Sequence, residues 1–181
     1  MTHHTDPRHP GAEDERERRE PRSRSLTVYL NNHLMGATAG VRLLERLERQ
    51  QEDEGVSAEL ARLAEEIDED RATLLRLMRE LDVPVRRSMI VAGRLGETLG
   101  RFKPNGRLMR DTEVRAVLEF EAMTLGVQGK ASLWRALAEL PEAHEGRWPD
   151  LLRELLERAD RQAETLEALR LAVVRKALTP G

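Results

Sequence analysis

Residues 83–110 read VPVRRSMIVAGRLGETLGRFKPNGRLMR, and they separate two pairs of long amphipathic segments. From 85 to 110, Arg86, Arg87, Arg94, Arg101, Lys103, Arg107 and Arg110 stand against one acid, Glu97. The stretch therefore carries +6, and the remainder of a chain whose net charge is -3 carries -9. Ile90, Val91, Leu95, Leu99 and Phe102 predict a short helix over 87–102. Gly93, Gly96 and Gly100 loosen it, and the turn Lys103, Pro104, Asn105, Gly106 ends it. Pro84 stops whatever helix precedes the stretch. Its 28 residues are long enough to run back along a helical bundle.

On the N-terminal side, a segment over about 58–82 carries Leu60, Leu63, Ala64, Ile67, Leu74, Met78 and Leu81 on one face, with Ser57 as its expected cap. Arg71 lies on this stripe, one turn from both Ile67 and Leu74. The loop QEDEGVS separates it from a first helix over about 25–51, capped by Ser25. That helix has Leu26, Leu30, Leu34, Ala37, Val41, Leu44 and Leu47 inward, together with His33 and Gly40.

On the C-terminal side, Asp111 or Thr112 caps a third helix over about 112–140, stopped by Pro141. One of its faces carries Val114, Val117, Leu118, Leu125 and Ala136, interrupted by Glu121, Gln128 and Ser132. A second carries Phe120, Met123, Val127 and Trp134. Both must be covered, so a homodimer is expected through Phe120, Met123, Val127 and Trp134 unless the crossover helix lies there. After the loop PEAHEGRW, Pro149 opens a last helix to about 178, with Leu152, Leu155, Leu156, Ala159, Ala163, Leu166 and Val173 inward.

The first 24 residues have no apolar periodicity and set six acids against six arginines, which reads as a disordered charged tail before one helical domain over 25–181. His3, His4 and His9 lie in it, as a solvated tail rather than a preorganised metal site. The chain of 181 residues has no cysteine, so disulfides and thiolate metal sites are excluded. No apolar run reaches the ~18 residues of a spanning helix and the first 25 residues hold no apolar signal core, so a cytoplasmic protein is expected. The +6 stretch could dock on an acidic partner. It lacks interleaved aromatics beyond Phe102, so nucleic-acid binding is not expected.

Four helices of about 25 to 30 residues, each roughly 40 Å long, joined as hairpin, crossover and hairpin, make an all-α fold. In this order the chain resembles the ferritin-like superfamily, and the resemblance implies an antiparallel four-helix bundle with an additional short helix in the crossover. Family members with a dinuclear metal site take a carboxylate from each of two helices and an ExxH pair from each of the others. This chain has no ExxH, and outside the tail its only histidines are His33 and His144. The resemblance thus implies a bundle without the complete two-metal site.

Rise per residue brings His33, Arg71, Glu121 and Gln128 to similar depth in that topology. A buried polar network of His33, Asp70, Arg71, Glu121 and Gln128 is expected, with the Arg71 guanidinium held by Glu121. Gly36 with Gly40, and Gly126 with Gly129, are read as close-packing positions. A cavity there, beside His33, would be the place for a small ligand. No nucleophile with an adjacent base, phosphate loop or zinc motif appears. The expected function is a non-catalytic interaction or small-ligand-binding protein without cofactor. The alternative is an iron- or manganese-dependent oxidoreductase or metal-handling protein, with an atypical site drawn from His33, Glu66, Asp70, Glu119 and Glu121.

Overall fold

The structure, a computed structural model, describes residues 24–86 and 112–178. The charged tail with its histidines and the short helix expected over 87–102 lie outside the described residues. So does the basic stretch beyond Arg86 that was expected to meet an acidic partner. Among the described residues there are four long helices and no strand: α1 (Arg24–Arg49), α2 (Glu54–Glu80), α3 (Thr112–Ala138) and α4 (Trp148–Leu178). A 3-10 turn, Pro141–His144, follows α3 and buries Ala143.

The expected helices hold to within a few residues, but the caps differ. α1 begins at Arg24, ahead of Ser25. α2 begins four residues before 58, because the Asp53 carboxylate accepts from the Gly55 and Val56 amides, at 2.9 and 3.0 Å. An acceptor there satisfies amides that no carbonyl of the helix reaches, so the helix starts at the first good cap it meets. At its other end Asp82 takes a positive φ of 53°. The Asp82 amide donates to the Arg79 carbonyl and that of Val83 to the Met78 carbonyl. Val83 is buried, completing a Schellman stop.

Two apolar clusters show how the helices run. One joins Leu30 and Leu34 of α1 to Leu74 and Leu77 of α2, Trp134 and Leu137 of α3, and Leu152 and Leu155 of α4. The other joins Leu44 and Leu47 to Leu60 and Leu63, Phe120 and Met123, and Ala159 and Leu166. Each hairpin is therefore antiparallel, and α2 ends at the opposite end of the bundle from where α3 begins. Asn31, buried near the start of α1, fixes the point of departure. Its amide donates to the Thr27 and Pro84 carbonyls, at 2.8 and 3.0 Å, and its side-chain oxygen accepts from the Arg86 amide at 2.7 Å.

The third helix corrects the expected dimer face. Phe120, Met123, Val127 and Trp134 are all buried within the chain itself, against α1, α2 and α4. Leu125 and Ala136, expected inward, are exposed. The seam of α3 runs 120, 123, 127, 130, 134, 137, with steps alternating three and four. That alternation keeps one stripe facing a packed neighbour along a whole helix.

Candidate functional site

The same three-and-four alternation places a polar residue on the seam of three helices. On α2 it runs 60, 63, 67, 70, 74, 77 and buries Asp70; on α4 it runs 148, 152, 155, 159, 162, 166 and buries Gln162. On α3 it buries Lys130. The three side chains meet in the middle of the bundle. Lys130 Nζ donates to Asp70 Oδ2 at 2.5 Å and also to Gln162 Oε1. Gln162 Nε2 passes a hydrogen bond on to Glu66 Oε2 at 2.9 Å, and Glu66 is paired with Arg62. Arg158 of α4 forms an ion pair with Asp70 Oδ1 and donates to Glu69 at 2.9 Å.

This cluster replaces the expected one. Arg71 turns along its own helix and pairs with Asp68 at 2.7 Å instead of reaching Glu121. Glu121 is exposed and lies 3.6 Å from Arg170, while the Gln128 side chain is exposed. His33 is partly buried and sits edge-on to Tyr29, with ring centroids 4.6 Å apart. Of the five expected members only Asp70 lies in the buried network.

Asp70 at 1% and Lys130 at 9% exposure are deep enough that neither charge is sustained alone. Burial lowers the Lys130 pKa below its ordinary 10.5, and the Asp70 carboxylate opposes that shift. The iron or manganese set of His33, Glu66, Asp70, Glu119 and Glu121 is not brought together. Among the described residues no three His, Asp or Glu side chains converge as metal ligands. Asp70 already faces two cations, Lys130 and Arg158, so its carboxylate does not fit the role of a metal donor.

Beside the cluster, a groove of about 760 Å³ lies along α1 and α3 and is lined also by Ile67, Asp70 and Leu74 of α2. The glycines explain its width. Among the described residues, a Cβ built on Gly36, Gly126 or Gly129 meets nothing within 4 Å, and one on Gly40 meets the Met123 side chain, at 3.6 Å. Gly36, Gly126 and Gly129 are not the close-packing positions expected from their spacing, since among the described residues they line open space, whereas Gly40 lies against Met123. The walls are apolar, with Met35, Ala37 and Leu43 on α1 and Leu118, Ala122 and Leu125 on α3. Lys130 and Asp70 reach the floor, so the buried cluster is also the polar base of the groove. Trp134 lines it as well, and the buried indole Nε1–H has no hydrogen-bond partner among the described residues.

Burial holds His33, on the same wall, below its ordinary 6.5. Between the lowered value and 6.5 the unfolded chain binds more protons than the folded one, so this contribution to stability rises with pH through that window. The urea midpoint of the parent should gain on that of His33→Gln as pH rises toward the ordinary histidine value of 6.5. Parallel curves for the two proteins would show that His33 is solvated.

Compared with protein-family models, with curated proteins and with solved structures, the chain matches none.

Proposed function

We propose that this chain is a ferritin-like helical bundle that binds a small apolar molecule in the α1–α3 groove, without metal and without performing chemistry on it, in the cytoplasm. The observation that carries the reading is the pair of glycine-bearing helix faces that line open space over a polar floor. A groove of about 760 Å³ with apolar walls and a few buried polar groups has the size and make-up of a small-molecule site. The helix order supports the ferritin-like assignment, and no described helix is long and apolar enough to cross a membrane. A lysine and an arginine on the central carboxylate support the metal-free reading, since Asp70 is already held by two cations.

The neutral fluorophore N-phenyl-1-naphthylamine tests it. The parent should enhance its fluorescence at one equivalent per chain. Gly126→Phe, whose ring would enter the open space, should abolish the enhancement and leave the urea midpoint unchanged or raised, because glycine is a poor helix residue. No enhancement with the parent, or enhancement unchanged in Gly126→Phe, would overturn the proposal.

A further inference from the structure

The charges lining the groove are gathered unevenly. Toward the end of α1, Glu119 Oε1 accepts from Arg46 at 2.9 Å and from Arg115 at 3.0 Å. Arg42 lies one turn before Arg46, lines the groove with it, and has no carboxylate partner among the described residues. Glu45, on the next turn, forms no ion pair with it among the described residues. Three guanidinium groups therefore meet two carboxylates of the lining, Glu119 and the exposed Glu121 that lies 3.6 Å from Arg170, leaving one positive charge in excess at this end. Away from it, the α1 wall runs back through Leu43, Ala39 and Met35 to Asn32. From Asn32 to Arg46 the wall is about 21 Å long at ~1.5 Å per residue.

We infer that the groove takes a free single-chain amphipathic carboxylate, its alkyl chain lying between α1 and α3 and its head group held at Arg42, Arg46 and Arg115. This inference rests on the proposed binding function and names the class of ligand. The shape fits a chain rather than a disc, because the site is long and Arg42, Arg46 and Arg115 gather at one end of it. Arginine suits the head, since its planar fork meets a carboxylate with two parallel hydrogen bonds. Arg42 is the member free to do so without giving up an existing pair. Arg46 and Arg115 offer the donors that Glu119 leaves over. Glu119 also supplies discrimination: its second oxygen is buried without a hydrogen-bond partner among the described residues, so a head placed too deep meets repulsion and the carboxylate is kept at the rim.

The experiment is displacement of N-phenyl-1-naphthylamine from the full chain by dodecanoate and by dodecan-1-ol, which share a chain and differ in the head. Dodecanoate should displace at about tenfold lower concentration, the contribution of one charge-assisted pair. Arg42→Glu should erase that preference, and Arg115→Gln should reduce it. Equal displacement by acid and alcohol in the parent would overturn the head-group assignment and leave the apolar groove standing. Failure of the parent to bind the fluorophore would overturn both, and light scattering would then tell a second copy of the chain in the groove from residues 87–111 filling it. Sedimentation with phosphatidylglycerol vesicles that dodecanoate does not reverse would also overturn the inference, assigning the arginines to a lipid surface.

Discussion

Asp70→Ala is expected to lose about 3–5 kcal/mol of unfolding free energy in urea melts, the largest effect of any single polar change in this chain. The substitution removes the one carboxylate that faces both Lys130 and Arg158, and Lys130 has nowhere to go. Its amine would keep only the Gln162 oxygen in a site that is 9% exposed. The cost comes from stranding a cation, not from deleting an attraction, and a second variant separates the two. Asp70→Leu combined with Lys130→Met replaces the pair by apolar groups and should recover most of the loss, since Arg158 is half-buried and still has Glu69. An Asp70→Ala protein as stable as the parent would mean that the cluster is solvated.

Phe120→Ala should cost about 3–5 kcal/mol, and the loss should be the same at every protein concentration. Phe120 is fully buried in the cluster formed with Leu44, Leu47, Leu60 and Leu63, and its removal leaves a cavity that four helices are too constrained to close. Concentration matters because an aromatic in a dimer interface couples folding to association. A melting midpoint that rises with protein concentration in the parent and not in Phe120→Ala would return Phe120 to an interface. Leu125→Ser, on the exposed side of the same helix, should change stability by no more than about 0.5 kcal/mol.

The contrast between Phe120 and Leu125 shows how far periodicity could be read. α3 is apolar on nearly every side, so its sequence holds two acceptable stripes, and one of them had to be assigned to a partner. The true stripe contains Lys130, a residue type that ordinarily marks a solvated face. Its signal was its place in the run 120, 123, 127, 130, 134, 137. Arg71 and Asp70 pose the same problem within one turn. From Ile67 to Leu74 a stripe can step by four and then three, through Arg71, or by three and then four, through Asp70. Local pattern does not distinguish them. Cations arriving from α3 and α4 do, by making the carboxylate the cheaper residue to bury.

The glycines carry a similar lesson. Gly36 and Gly126 could serve close approach or open space equally well, because a missing Cβ permits both. Which one holds depends on the separation of α1 and α3.

By itself, the sequence determined the limits of the four long helices among the described residues to within a few residues and the absence of cysteine chemistry. It also determined the pairing into two hairpins across 83–110. These follow from interactions between residues three or four apart and from the reach of a connecting chain. Tertiary structure alone decided which of two equally apolar faces is inside, which charged neighbour is buried, and whether the glycines close a seam or open a groove. Each of those choices compares burial against residues distant in the chain, where a rotation of one helix by a single residue exchanges an aspartate for an arginine.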